Sequence, residues 1–170
     1  MKMTLLAAII ALAAATLVAG NPPDNPKSSP AFDKLKALVG TWQGKDNEGK
    51  PVTITYKAVS AGTSLMETLD MADDKEAMVT MYHLDGDPLM MTHYCSMGNQ
   101  PRMRAKKMIK DGNTISFAYV DGTNMASAKD SHMHNLVITF KDNDHFAQEW
   151  TMWKDGKTEH TSTFEFERAK

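Results

Sequence analysis

A single cysteine in 170 residues excludes an internal disulfide, so the fold must rest on packing and hydrogen bonding. Cys95 is left as a small buried residue, a reactive thiol or a metal ligand, and burial without reactivity is the expected role. Long apolar runs are missing beyond residue 20, so no mature segment reaches the ~20 apolar residues of a membrane helix. Basic blocks are missing too. The 19 Lys and Arg are dispersed among 21 Asp and Glu for a net charge of −2, which excludes a nucleic-acid surface. The densest basic group, Arg102, Arg104, Lys106, Lys107 and Lys110, alternates in a way that sends most of it to a solvated outer face. There is no phosphate loop, dinucleotide fingerprint or zinc-protease helix. Sustained helical periodicity is absent after Val39.

What is there begins with a leader. Residues 1–20 carry Lys2, an apolar run from Leu5 to Val18 and small residues at Ala19 and Gly20, the layout of a secretory signal peptide. Asn21 stands where a lipoprotein box would need cysteine, so the expectation is an exported protein, periplasmic or secreted, with no membrane anchor after processing. Residues 21–31 are rich in Pro, Ser, Asn and Asp and read as a disordered linker. The remainder is one domain's worth of chain. Phe32, Leu35, Leu38 and Val39 space one short amphipathic helix before Gly40.

From Gly40 onward the pattern is all-β. Short runs rich in Val, Ile, Thr, Tyr, Phe and Met alternate with turn residues, giving strands at Gly40–Lys45, Val52–Val59, Ser64–Asp70, Met78–Leu84, Leu89–Ser96, Met103–Ile109, Thr114–Val120, His132–Lys141, His145–Trp153 and Thr158–Glu167. About ten strands in a meander hide their edges best by closing into an up-and-down antiparallel β-barrel behind the short N-terminal helix. A sandwich is the other solution. A barrel of this size can enclose a cavity, which points to a small-molecule ligand. A turn at Asp85–Pro88 pairs Leu84 with Leu89, hence Tyr82 with Met91 and Thr80 with His93.

Gly40-Thr41-Trp42 opening the first strand and Arg168 closing the last resemble the calycin superfamily of lipocalin-like barrels, over residues 32–170. That resemblance implies that Trp42 packs against Arg168 at the closed end. The compact ten-strand length and a late histidine, His160 in EHTSTFEFER, are similar to the nitrobindin-like haem barrels and to exported bacterial members of the superfamily. The resemblance implies haem with His160 as its axial ligand, although the stretch GKDNEGKPVTI departs from that family's glycine-rich continuation.

Strand direction adds a reading that needs no family. In a meander the end of Leu89–Ser96 and the starts of the strands at His132 and Thr158 meet at one mouth, opposite Trp42 and Arg168. His93, His132, His134 and His160 therefore converge there, with Cys95. His132 and His134 share a strand face with Leu136, and His160 shares one with Phe164. Period two puts Met91, His93, Cys95 and Met97 on one face, though both faces of that strand are mixed. Tyr82, Met91 and Phe164 are expected to line a pocket. A non-haem zinc or copper site from His132, His134, His93 and Cys95 is the alternative to haem, and a barrel without any cofactor is a third. An enzyme using Tyr82, Glu67 or a histidine for acid–base chemistry, and a plain apolar-ligand carrier, stay open. Glu67 and Glu149 are expected to face outward as salt partners, His83 to lie on the surface, and the methionines to fill core. Met91 to Met97 along one strand spans ~20 Å and cannot surround one ion. Asp85-Gly86-Asp87 and Asp142-Asn143-Asp144 serve hairpins rather than calcium.

Overall fold

A computed structural model describes residues 29–72, 74–106 and 112–170. The expected leader, residues 21–28 of the expected linker, Lys107, Lys110 and the expected strand end at Ile109 lie outside them. The chain runs α1 (Pro30–Lys36), β1 (Gly40–Lys45), β2 (Pro51–Val59), a 3₁₀ turn (Ser60–Gly62), β3 (Ser64–Met71), β4 (Met78–Leu84), β5 (Leu89–Tyr94), β6 (Gln100–Ala105), β7 (Thr114–Thr123), β8 (His132–Phe140), β9 (His145–Lys154) and β10 (Lys157–Arg168). Each strand pairs antiparallel with the next, and β1 pairs with β10, so the sheet closes into a ten-strand up-and-down barrel. Among the described residues no strand is left as a sheet edge.

The helix plugs one end. Pro30 sits in its first turn, where the missing N–H costs nothing, and Phe32 and Leu35 are buried. It stops three residues short of Val39 because Leu38 and Val39 donate to Leu35 O and Lys36 O, a tightened last turn. Gly40 then takes φ 128°, a left-handed conformation that favours glycine. Trp42 is fully buried and its Nε1 donates to Leu38 O at 2.7 Å. The Arg168 guanidinium carbon lies 4.1 Å from the Trp42 ring centroid, and its nitrogens donate to Ala37 O, Val39 O and Asn143 O at 3.2–3.3 Å. One side chain thus covers the buried indole and caps the carbonyls that the end of α1 leaves open.

Alternation supplies the core. Val52, Ile54 and Tyr56 of β2, Leu65 and Leu69 of β3, Phe117 of β7, Leu136 and Ile138 of β8, and Phe164 and Phe166 of β10 all point inward. The β4–β5 hairpin has the expected register, Leu84 with Leu89, Tyr82 with Met91 and Thr80 with His93. At β9–β10 the two-residue turn Asp155-Gly156 has φ of 52° and 79°, the positive pair a tight hairpin of this twist requires.

Most strand ends fall within one residue of expectation, and the larger differences lie around β5 to β7. β5 ends at Tyr94 instead of Ser96, because Cys95 N bonds Asn99 O and Gly98 N bonds Cys95 O, turning the chain early. β6 begins at Gln100 and takes in Pro101, which sequence rules keep out of central strands. β7 continues to Thr123, and the register shift between Arg102 and Met103 leaves Val120 unpaired and exposed. Arg102 is on the outer face, as alternation requires, with a two-pronged bond to Asp121.

Arg168→Ala should lower the free energy of urea unfolding by roughly 2–3 kcal/mol, from lost cation–π contact and uncapped carbonyls. Arg168→Lys should recover only part of that, because an ammonium cannot reach three carbonyls in a plane.

Candidate ligand site at the barrel mouth

A polar row crosses the interior at one level. Tyr56 pairs with Glu67, Glu67 with Thr80 and Thr80 with His93, so four consecutive strands each contribute an inward polar side chain. Glu67 is 1% exposed, which corrects the expectation that it faces solvent. The signal was present: Leu65 and Leu69 flank it at two-residue spacing, and parity alone places it inside. A carboxylate's preference for water argues against parity, and here hydrogen bonds inside the barrel offset it. Inside, Tyr82 donates to Glu67 Oε2 at 2.7 Å and Gln148 Nε2 to the same oxygen at 3.0 Å. Gln148 Nε2 also reaches the Tyr56 hydroxyl at 2.8 Å, and Trp150 Nε1 fixes Gln148 by donating to its Oε1 at 2.9 Å. Burial raises the Glu67 carboxyl above the ordinary carboxylate range, and bonds from Tyr82, Tyr56 and Gln148 pull it only part of the way back. Burial first, and the Glu67 charge second, raise Tyr56 and Tyr82 well above the ordinary phenol value. Glu149, by contrast, is exposed.

Above this row, towards the mouth, lies a cavity of about 200 Å³. His93 reaches it from β5, with Trp150 and Phe164 as walls and Cys95, Met71, Met78, Met133 and Met152 around them. His93 is 2% exposed. Its Nδ1 is 2.9 Å from Thr80 Oγ1, its ring packs on Trp150 at 4.7 Å between centroids, and its buried Nε2 has no partner. Burial lowers its pKa to about 4, so the imidazole is neutral at pH 7. Burial also raises the Cys95 thiol, which makes it a poor nucleophile. Two side chains expected in the pocket lie elsewhere. Met91 is fully buried and Tyr82 belongs to the Glu67 network, and neither lines this cavity; Phe164 does. Met97 sits at its rim, 46% exposed.

The four imidazoles expected at one mouth are divided among three places. His93 is in the cavity. His132 and His134 form a separate cluster, because a register shift between Met133 and Asn135 inserts His134 as an extra residue and brings Met133 to the cavity. His134 stacks on Trp153 with centroids 4.2 Å apart, and both histidines contact Tyr119. His132 Nδ1 is 2.7 Å from Asp130 O, and a carbonyl can only accept. His132 Nε2 is therefore an acceptor, and the 3.0 Å contact is a bond donated by His134 Nδ1. Burial, then the neighbouring His132, lowers the His134 pKa.

His160 is exposed, in a groove with Asp46, Asn47, Glu48 and Asp74. That groove, about 400 Å³, also has Val52, Met71 and Phe164 in its lining, but Asp46, Glu48 and Asp74 put three carboxylates around it, a poor match for a largely apolar macrocycle, and the cavity that holds His93, about 200 Å³, is below the ~300–1,000 Å³ of pockets for drug-sized ligands. The residues present do not fit haem. The set His132, His134, His93 and Cys95 is likewise split, and among the described residues no group of three or more His, Cys, Asp or Glu is placed to hold a metal. His83 is exposed on the outer face, and His145 is exposed against Asp142 in its turn.

No known family model matches this chain, and no curated protein does. Among solved structures, a DUF3598-family protein from Nostoc punctiforme, itself of unknown function, superposes with a TM-score of 0.53 at 11% identity. The likeness is one of fold. It covers 79% of this chain and 49% of the Nostoc protein, so this chain spans about half that protein's length. A redesigned β-barrel matches with a TM-score of 0.35 at 15% identity, over 84% of this chain and 97% of its own. Among the described residues no helix is long and apolar enough to cross a membrane.

The raised Glu67 pKa has a measurable consequence. Between the ordinary value of 4.5 and the raised one, the folded chain keeps a proton that the unfolded chain has released. Stability present below that window is lost as pH rises through it, by up to about 1.4 kcal/mol per pH unit. Glu67→Gln removes this slope, so its unfolding free energy should gain on the parent's as urea titrations move from pH 4 upward, then level off.

Proposed function

We propose that this chain is an exported, calycin-like barrel that binds a small ligand in the mouth cavity, with His93 Nε2 as the polar contact. The observation that carries the reading is that nitrogen: buried, without a partner, on a ring that lines a cavity with aromatic and thioether walls. A buried polar atom left unpaired costs about 1–3 kcal/mol, and a ligand atom bonded to it returns that energy on binding. Thr80 holds Nδ1 and Trp150 holds the ring face, so the imidazole is oriented before any ligand arrives. The cavity volume limits the ligand to a molecule smaller than most drugs. Glu67 and Tyr82 do not line it, which favours binding over acid–base catalysis. The apolar run Leu5–Val18 supports export.

Benzaldehyde, apolar with one acceptor oxygen, is a suitable probe. In spectra of ¹³C-methyl methionine, the Met78, Met133 and Met152 signals should shift saturably with it, while Met66 and Met81 on the outer face of β3 and β4 stay fixed. His93→Leu should weaken binding about five- to tenfold, the worth of one hydrogen bond. Shifts that never saturate, or that spread equally to Met66 and Met81, would sink the reading.

A further inference from the structure

The cavity concentrates sulfur from parts of the sequence that no local motif connects. Met71 comes from the end of β3, Met78 from the start of β4, Cys95 from just after β5, Met133 from β8 and Met152 from β9. Met133 and Met152 are direct cross-strand partners. Met78 and Cys95 stand one step beyond the Val79–Tyr94 pair of the β4–β5 ladder, so they too are neighbours. Side chains so placed start about 5 Å apart. His93 lies two residues before Cys95 on the inward side, and its unpartnered Nε2 is the one strong nitrogen donor lining the cavity. Asp74 adds a carboxylate at the same opening.

We propose that the mouth cavity binds monovalent copper, Cu⁺, through His93 Nε2 and sulfurs drawn from Cys95, Met78, Met133 and Met152. Thioethers are neutral, polarisable donors that select soft monovalent ions and hold hard or borderline divalent ions poorly. A zinc site wants imidazole, thiolate or carboxylate in a tetrahedral group, and the described residues offer no set of three. Thr80 fits the outer role that metal-bound histidines generally require. The Thr80 hydroxyl can accept from Nδ1–H, which leaves the Nε2 lone pair for the ion, or donate to Nδ1, which puts the proton on Nε2 for a carbonyl ligand, so it serves either tautomer. Apolar walls exclude the water that Cu²⁺ would need to complete its coordination, and Asp74 offsets the single positive charge at the entrance. The proposal rests on the cavity being a ligand site and names the ligand class.

The test uses the exported chain without its leader, kept anaerobic, competing with bicinchoninate for Cu⁺. One equivalent should leave the coloured complex, and X-ray absorption should show mixed sulfur and nitrogen coordination. The double variant Met133→Leu/Met152→Leu keeps the cavity's volume and apolarity, so its urea unfolding midpoint should stay near the parent's while Cu⁺ affinity falls at least tenfold. Unchanged Cu⁺ affinity in that variant would overturn the proposal, because capture by the thiol of Cys95 alone would then explain the uptake. Equal withdrawal of Zn²⁺ would overturn it as well. No Cu⁺ uptake alongside saturable benzaldehyde binding removes copper and leaves the small-ligand site standing; failure of both removes both.

Discussion

Closure of β1 onto β10 is the constraint on which the remaining structure depends. It is made by four registered pairs, Trp42 with Arg168 through Lys45 with Glu165, and it leaves no room for variation at its centre. A Cβ on Gly44 would lie 2.3 Å from the Glu165 carbonyl oxygen and 2.7 Å from the Phe166 ring, distances that force the backbones apart. Once that seam holds, every strand has an inside and an outside, and alternation alone decides which side chains share the interior. The Tyr56–Glu67–Thr80–His93 row exists because closure puts β2 to β5 on one curved wall.

The interior is divided by chemistry along the barrel axis. At the base, Trp42, Tyr56, Phe146 and Phe166 are packed ring against ring, and α1 with Arg168 seals them. Glu67 with its hydrogen-bonding tyrosines and glutamine forms a middle layer. Burying a carboxyl there costs stability; Glu67 Oε2 accepts from Tyr82 of β4 and Gln148 of β9, which ties those strands together, while Oε1 is left without a partner. Towards the mouth, methionines stand beside the rings of Trp150 and Phe164, and a cavity of about 200 Å³ is left among them.

Much of this was legible. Period-two alternation with turn residues gave ten strands, the closed meander and the register of the β4–β5 hairpin, because each depends on residues close together in sequence. Trp42 against Arg168 was implied by the calycin resemblance and not by spacing; in the structure the two are registered partners across the β1–β10 seam. Glu67 was misread for a different reason: a general preference of carboxylates outweighed a clear local pattern. The His132–His134 cluster could not be placed, since one inserted residue at His134 rotates the start of β8 and no composition rule announces such a bulge. The sulfur-lined cavity was also hidden. Period two along one strand shows only Met91, Cys95 and Met97, whereas the methionines that line the cavity with Cys95 come from β3, β4, β8 and β9, and only the closed sheet brings them together.

The placement of Gly44 bears on how such a protein can change. The seam it makes possible tolerates no side chain, and the rings below the polar row are interlocked, so that half of the molecule is committed to being a barrel. Methionines at the mouth carry no such commitment: each can be exchanged for leucine or isoleucine of nearly equal volume without disturbing closure. The lining of the mouth can therefore drift while the barrel stays fixed, and the boundary between the two runs along the row from Tyr56 to His93.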